Sequence, residues 1–267
     1  MKVLISTAVA FICLTLAGCQ KPVEFEGELS AREPLVSTEL PSDKNILVDA
    51  SKDGGVWWFP QGDNNDFSET AEHQGQALAD YLRSLGFHVD ELGRGAVITD
   101  QLLEKYSRII RAAPFFDYSN DEINAYKNFL KRPGAILLLQ DHLSYTTNDQ
   151  LSELLGVKFR GAVNGSITNF TSHEITAGVE AFPFIAGAVV TNAENNPNIV
   201  VLGSLDMNSY VVLNNSDPLN SPDVSSIPVM GLVKNFPNTR IFFLGEENAI
   251  ESVPQPLTQN LVNWLLD

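Results

Sequence analysis

Short apolar runs alternate with amphipathic segments along the first half of the chain, and this alternation limits the possible fold most strongly. The run 135–139 is continuously apolar, and the run 45–50 contains the carboxylate of Asp49 near its end. Between such runs, the segment 70–85 places its apolar side chains on one helical face. Apolar strands separated by helices are typical of a parallel sheet covered on both faces. The sequence therefore predicts an α/β domain with a doubly wound, mainly parallel sheet.

Helix starts are marked by residues that cap a helix with their side chains. Ser119 and Glu122 have the spacing of a capping box, and the helix that follows is expected to end at Pro133 and Gly134. Thr147 and Gln150 predict a second capped start at the same spacing. Both helices follow apolar runs, as the alternating arrangement requires.

The second half of the chain has a different character. From 157 to 225 the sequence is rich in Gly, Asn, Ser and Thr, and short β-like runs replace the amphipathic segments. The α/β pattern returns at 229–233 and at 240–245, before a final helix. We expect one domain over 45–267, in which 157–225 forms a β-rich extension of the same sheet.

The amino terminus predicts export. An apolar run from residue 3 to 17 follows Lys2 and is too short for a comfortable membrane span, which is typical of a signal peptide over 1–18. Leu-Ala-Gly-Cys at 16–19 resembles the bacterial lipobox, and the resemblance implies cleavage before Cys19 and acylation of that cysteine, with palmitate among the groups attached. The segment 19–44 then reads as a flexible tether. Because Gln20 stands where an aspartate would favour the inner membrane, we expect a lipid anchor in the outer membrane, with the domain in the periplasm or outside the cell.

Charge and cysteine content exclude several classes of function. The chain has 33 acidic and 17 basic residues, a formal charge of −16, which disfavours nucleic acid and anionic lipid as partners. Its two cysteines, Cys13 and Cys19, fall in the signal and at the acylation point. The folded domain is therefore expected to contain no disulfide and no thiolate nucleophile.

Candidate site residues follow from where open parallel sheets bind ligands, which is outside the carboxyl ends of the strands. This rule selects strand-end residues, a histidine of the first helical turn, and two tryptophans of the loop after the first strand. The candidates are Asp49, Trp57, Trp58, His73, Asp141, His142 and Glu246. His173, in the β-rich extension, is added as a residue that could reach the same edge.

Each candidate also has a purely structural interpretation. A strand-end aspartate often caps a helix or a turn, a histidine beside a carboxylate is often satisfied by it, and the two tryptophans could simply pack over the sheet edge. As a set, carboxylates and imidazoles could bind a divalent cation or activate a water molecule. A divalent cation is therefore a candidate cofactor, and no spacing in the chain identifies it.

Several segments together resemble the amidotransferase-like domains of exported bacterial proteins. They are the strand that ends at Asp49, the helix that begins near 73–78, the turn 85–87, and the segments 118–129, 137–142 and 173–178. The resemblance implies the flavodoxin-like fold of class I glutamine amidotransferases. Those enzymes carry a nucleophilic cysteine on a turn after a strand, whereas the comparable turn 111–114 here reads Arg-Ala-Ala-Pro. Glutamine hydrolysis is therefore not expected.

These observations favour a noncatalytic amidotransferase-like domain that binds a ligand or partner at the strand-end crevice. A glycan and an envelope protein are the candidate partners, and nucleic acid is not one. Two alternatives stay open at this point. One is a metal- or carboxylate-dependent hydrolase of envelope carbohydrate, and the other is a structural scaffold.

Overall fold

A computed structural model of the chain describes most of the region after residue 43. The described residues are 44–58, 72–141, 149–206, 211–212, 227–248 and 255–266. All of these lie in the compact unit Ala31–Asp267. The predicted signal peptide, the acylated Cys19, nearly all of the tether, His142 and Thr147 lie outside the described residues. Among the residues described, no helix has the length and hydropathy needed to cross a membrane.

Strands and helices alternate strictly only in the first half of the chain. In chain order the elements are β1 (Asn45–Asp49), α1 (Gln76–Ser84), β2 (His88–Leu92), α2 (Asp100–Leu103), β3 (Arg108–Arg111), α3 (Asn120–Phe129), β4 (Gly134–Leu139), α4 (Gln150–Leu155), β5 (Phe159–Phe170), β6 (Phe182–Val190), β7 (Ile199–Leu205), β8 (Val211–Val212), β9 (Ile227–Val233), β10 (Thr239–Leu244) and α5 (Pro256–Leu266). A short 3₁₀ turn, Glu174–Thr176, lies between β5 and β6.

The strands form one mixed sheet in the order β2-β1-β3-β4-β10-β9-β7-β5-β6, with β8 also paired to β5. The first five strands in this order, β2, β1, β3, β4 and β10, are parallel to one another. From β10 onward every pairing is antiparallel. The prediction of a doubly wound, mainly parallel, flavodoxin-like sheet is therefore wrong, because about half of the sheet is antiparallel.

The short connections of the second half explain this difference. A parallel neighbour needs a crossover of about a dozen residues or more, whereas antiparallel strands can be joined by a tight turn. The strands β9 and β10 are separated only by 234–238, and they pair antiparallel. The segments between β5, β6 and β7 likewise carry no α-helix that could cross over the sheet. The apolar runs near the end of the chain resemble those in the parallel half of the sheet. Their amino-acid composition therefore did not distinguish parallel from antiparallel strands.

Helices cover both faces of the sheet and create two cores. On one face, Val48 and Phe242 pack with side chains of α1 and α5. On the other face, Leu47 and Phe243 pack with side chains of α2, α3 and α4. Because neighbouring residues of β1 and of β10 enter opposite cores, these strands are apolar on both sides, as the sequence indicated.

The capping interactions confirm one predicted helix start and show that a second helix is capped by a different residue from the one predicted. Ser119 and Glu122 form the predicted capping box of α3. Helix α4 begins after Asp149, whose carboxylate accepts hydrogen bonds from the amides of Leu151 and Ser152. A capping aspartate satisfies amides that would otherwise be unpaired. It also brings Asp149 to the carboxyl edge of the sheet, where the candidate site lies.

Candidate functional site

Asp49 ends β1 as a buried carboxylate with all of its contacts inside the protein. Its Oδ1 accepts a hydrogen bond from the Ser51 amide at 3.0 Å. Its Oδ2 accepts from the hydroxyls of Tyr118 at 2.8 Å and Tyr126 at 2.5 Å. Burial, and next the charge of Asp49, raise the pKa values of both tyrosines well above the usual range. The two phenols therefore act as permanent donors to Asp49 at neutral pH.

A buried arginine, which sequence reasoning did not select, lies at the end of the neighbouring strand. Arg111 ends β3 with no exposed surface, and its Nη2 donates to Asp149 Oδ2 at 2.7 Å. Gln140 Nε2 donates to the same oxygen at 3.0 Å. Burial lowers the pKa of the Arg111 guanidinium, but the charge of Asp149, together with smaller contributions from Tyr118, Tyr126 and the hydrogen bond to Asp149, more than reverses this effect and leaves that pKa raised. The arginine is thus held as a cation beneath the sheet edge by a fixed counter-charge.

Asp53 organises the loop that carries the two tryptophans. Its Oδ1 accepts hydrogen bonds from the amides of Gly55, Val56 and Trp57, and its Oδ2 accepts from the amide of Trp58. The carboxylate is completely buried, and Arg94 Nε lies 3.6 Å from its Oδ2. Because one carboxylate receives four backbone amides, the segment 53–58 has a defined conformation although it is a loop.

Trp57 and Trp58 are parts of the interior. Their exposed fractions are 0% and 4%. Trp57 Nε1 donates to Glu91 Oε2 at 3.1 Å, and its ring lies against Gly75, where an added Cβ would come within 2.1 Å of the indole. The Trp58 ring packs on the imidazole of His73, with 4.2 Å between ring centroids. The packing interpretation of these residues therefore agrees with their burial, and neither indole presents a face to solvent.

His73 belongs to the same interior cluster. Its Nδ1 lies 3.1 Å from the Trp57 carbonyl oxygen, and its Nε2 lies 2.9 Å from Glu91 Oε2. Glu91 Oε1 accepts from Arg83 at 2.7 Å. Burial raises the pKa of the Glu91 carboxyl, but the hydrogen bonds from His73, Trp57 and Arg83 more than reverse this and leave its pKa below the usual value. Through Glu91, these contacts connect the loop that carries Trp57 and Trp58 to β2.

A shallow cleft opens at the carboxyl edge between the ends of β3 and β4. Its volume is about 190 Å³ including the part open to solvent, and its lining residues are Gly54, Val56, Ala113, Pro114, Phe115, Gln140 and Asp141. Phe115 and Phe116 meet edge to face at 4.9 Å and are 38% and 53% exposed. Both of their amides donate to the Lys52 carbonyl oxygen. Among the described residues at this edge, the exposed aromatic side chains are thus phenylalanines and not tryptophans.

Two buried glutamates follow β10 at the same edge. Glu246 is fully buried and packs beside Gly187. Glu247 Oε2 accepts from the amide of Ala113, a residue of the cleft wall, at 2.5 Å. Burial, and next the charges of Asp53 and Asp141, raise the pKa of the Glu247 carboxyl well above its usual value. Among the described residues, Glu247 Oε1 has no hydrogen-bond partner.

The candidates selected from sequence are thus divided among four places. Asp49 lies in the tyrosine network, His73 lies with the two tryptophans, and Asp141 lines the cleft near the β10 glutamates. His173 caps the 3₁₀ turn, where its Nδ1 accepts from the Ile175 amide at 3.2 Å. That turn is held to α5 by Asn260. Within the described part of the chain, no three His, Cys, Asp or Glu side chains are grouped as a metal ion would require.

Asp53 gives the first testable prediction. Asp53→Asn keeps one acceptor oxygen but replaces the other with an amide group that cannot accept, so at least one buried backbone amide loses its partner. We expect the free energy of unfolding to fall by about 1–2 kcal/mol in urea titrations. Asp80→Asn, on an exposed part of α1, serves as the matched control and should stay within about 0.5 kcal/mol of the parent. Equal stability of the two variants would contradict the role of Asp53.

Comparison with known proteins identifies the fold and no function. No family model and no curated protein sequence matches the chain. Among solved structures, one described as the mmIFT52 N-terminal domain aligns at 18% identity with a TM-score of 0.58, over 83% of this chain and 96% of that one. A ThuA-like protein from Bacteroides uniformis aligns at 15% identity with a TM-score of 0.52, over 88% and 95% of the two chains. A ThuA-like protein from Parabacteroides merdae aligns at 12% identity with a TM-score of 0.51, over 83% and 89%.

The ThuA-like neighbours have amidotransferase-like folds, so the resemblance to amidotransferase-like domains is confirmed as a likeness of fold. The mainly parallel, flavodoxin-like sheet that the resemblance implied is not confirmed, since the sheet is mixed. At identities below one fifth, the comparisons say nothing about what the chain binds or catalyses. Function must be argued from the carboxyl edge of the sheet itself.

Proposed function

We propose that the chain is a lipid-anchored protein of the cell envelope whose domain binds a ligand, most simply a glycan, in the carboxyl-edge cleft without catalysing a reaction. The observation that carries this proposal is the exposed pair Phe115 and Phe116 beside a cleft lined by Gln140 and Asp141. The anchoring part of the proposal rests on the lipobox-like residues 16–19.

The position of the cleft supports a binding role. In α/β sheets, ligands bind outside the carboxyl ends of the parallel strands. The cleft lies beyond the ends of β3 and β4, which are neighbours in the parallel half of the sheet. Binding sites combine an apolar surface with a few polar groups that orient the ligand. Here the apolar surface is Pro114 and the two phenylalanines, and the polar groups are Gln140 and Asp141.

The shape of the cleft favours a ligand that lies on its rim. The volume of about 190 Å³ includes the part open to solvent, and the cleft does not enclose a ligand. We expect a glycan to lie across the rim, with the apolar face of one sugar ring on an exposed phenylalanine ring and its hydroxyls near the carboxylate and amide groups.

The contacts of the other candidate residues support binding over hydrolysis. A general base must reach the proton that it removes. The carboxylate of Asp49 is occupied by Tyr118, Tyr126 and the Ser51 amide. The imidazole of His73 is bonded on both sides within the interior. We therefore assign both side chains to the packing of the interior.

The test is a direct binding measurement with Phe116→Ala. Loss of the exposed ring should weaken the binding of envelope oligosaccharides about tenfold in calorimetric titrations, the size expected for one aromatic contact of about 1–1.5 kcal/mol. Leu85→Ala is the matched control, because Leu85 is an exposed apolar residue at the end of α1, on the opposite edge of the sheet. Unchanged affinity of Phe116→Ala for an oligosaccharide that the parent binds would refute the placement of the site. Failure of the parent to bind any oligosaccharide would refute the glycan proposal.

A further inference from the structure

The rim of the cleft is built from two loops that follow neighbouring parallel strands. Gly54 lies in the loop after β1, and Phe115 lies in the loop after β3. We call these two loops, residues 52–58 and 113–116, the rim loops. Because β1 and β3 pair in parallel, both loops leave the sheet side by side at its carboxyl edge.

Main-chain contacts join the two rim loops. The Lys52 carbonyl oxygen accepts hydrogen bonds from the amide of Phe115 at 2.6 Å and from the amide of Phe116 at 3.1 Å. Beside these bonds, Asp53 and Pro114 form an isolated antiparallel bridge. The pairing fixes the distance between the loops, as it does between neighbouring strands of a sheet.

Gly54 is a point of very close approach between the rim loops. A Cβ atom added at position 54 would lie 2.3 Å from Cβ and 2.4 Å from Cγ of Phe115. The Phe115 Cβ is attached directly to the main chain, so no rotation of the ring moves it away. Only glycine therefore fits at position 54 while Phe115 keeps its place.

The loop that carries the phenylalanines is the one that an added side chain at position 54 would displace. On the side of Gly54, the buried Asp53 carboxylate holds the four amides of 55–58. On the other side, Phe115 and Phe116 are both exposed. Segments with fewer buried contacts move at a lower cost in free energy, so the exposed pair yields first.

From this geometry we propose that Gly54 is a positioning residue, which places the pair Phe115 and Phe116 for ligand binding. The inference rests on the proposed function and assigns to it a residue that acts through the aromatic pair. With glycine at position 54, Phe115 packs against the main chain of the first rim loop, and the aromatic surface is in place before a ligand arrives. A surface that does not have to be ordered on binding gives a higher affinity.

Hydrogen exchange and ligand titration with the purified full-length protein test this role in Gly54→Ala. By NMR, the amides of Phe115 and Phe116 should exchange at least about tenfold faster than in the parent, because the loops separate at Lys52. The ligands are the β-1,4-linked tetrasaccharides of glucose and of N-acetylglucosamine, whose sugar rings present flat apolar faces. The affinity of Gly54→Ala for a tetrasaccharide that the parent binds should fall about five- to tenfold, the size expected for one lost aromatic contact.

Gly203→Ala is the matched control for the effect of crowding alone. A Cβ atom added at position 203 would lie 2.8 Å from atoms of the Met230 side chain. Gly203 belongs to β7, and β4, β10 and β9 lie between that strand and β3. This variant should lose stability but keep the affinity of the parent and its exchange rates at residues 115 and 116.

Phe115→Gly shows whether Gly54 acts through Phe115. It removes the Cβ atom that an alanine at position 54 would meet. Gly54→Ala should therefore lower the urea midpoint by at least about 0.5 M in the parent background and by much less in the Phe115→Gly background. If Gly54→Ala alone does not fold, the double variant should fold, and failure of this rescue overturns the inference.

The remaining outcomes separate the inference from the proposed function. Unchanged exchange at residues 115 and 116 in Gly54→Ala overturns the inference, and so does an unchanged affinity for the tetrasaccharide. Equal losses of affinity in Gly54→Ala and Gly203→Ala overturn it as well, because stability alone would then account for them. In all three cases, binding by the parent leaves the proposed function intact. If the parent binds neither tetrasaccharide, both proposals fail.

Discussion

Replacing Asp49 with alanine is expected to lower the free energy of unfolding by about 3–5 kcal/mol. The carboxylate accepts hydrogen bonds from Tyr118, Tyr126 and the Ser51 amide in a fully buried environment. Its removal leaves three buried donors without a partner, and each unpaired donor costs about 1–3 kcal/mol. The cavity left behind adds to that cost.

Urea unfolding followed by far-UV circular dichroism measures this effect. Asp49→Asn should have an intermediate loss, because its amide oxygen can still accept while its NH₂ group faces a donor. Asp80→Ala removes an exposed aspartate and should change stability by less than about 1 kcal/mol. A loss below about 1 kcal/mol for Asp49→Ala would show that Asp49 is not needed for folding, and would reopen its role as a ligand-binding residue.

Alkaline pH is expected to destabilise the domain through Tyr118 and Tyr126. Their pKa values are raised in the folded state, by burial first and by the charge of Asp49 next. A group with a raised folded pKa stabilises the protein fully below its unfolded pKa, which is about 10 for tyrosine, and this stabilisation is lost as pH rises further. Between pH 10 and pH 11, the two phenols together should lower the free energy of unfolding by about 2 kcal/mol.

Unfolding free energies measured at intervals between pH 8 and pH 11.5 test this dependence. Tyr106 also contributes to this dependence, because burial and the neighbouring Asp90 raise its pKa as well. In Tyr126→Phe the slope above pH 10 should therefore fall by about a third relative to the parent, whatever the absolute stability of the variant. Tyr81→Phe is the control, since Tyr81 is a half-buried tyrosine of α1 that packs against the core, and its slope should match the parent. A parent curve that stays flat to pH 11 would mean that the two phenols ionise as easily in the folded domain as in the unfolded chain.

Local sequence patterns identified elements better than they identified their pairing. The capping box of α3 and the buried strand β4 could be read directly, because both depend on residues a few positions apart. The antiparallel half of the sheet could not, because strand direction depends on which strands become neighbours. The short connection 234–238 was the available signal, since it leaves no room for a crossover.

Whether the carboxyl edge is the binding site stays a prediction, but the strand-end rule correctly indicates where Asp49 and Asp141 lie in the fold. The candidates that it gave were carboxylates, imidazoles and the two tryptophans. Applied to β3, the same rule selects Arg111 and the following phenylalanines Phe115 and Phe116. Exposure of those rings, in contrast to the burial of Trp57, could not be read from the sequence because both aromatic pairs follow a strand end.

Sequence alone determined the elements of the parallel half, the strand-end position of Asp49 and the acidic balance of the chain, because each depends on composition or on neighbouring residues. It also determined the lipobox-like signal on which the proposed anchor rests. Only the tertiary structure shows that the sheet is mixed and that the Asp49 carboxylate accepts hydrogen bonds from two tyrosines. It also shows that Asp53 binds the backbone amides of the loop 53–58, in which both tryptophans are buried. The physical reason is that burial and hydrogen-bond pairing depend on contacts between residues far apart in the chain. For Asp49 and Tyr126 that separation is 77 positions, beyond the reach of any local pattern.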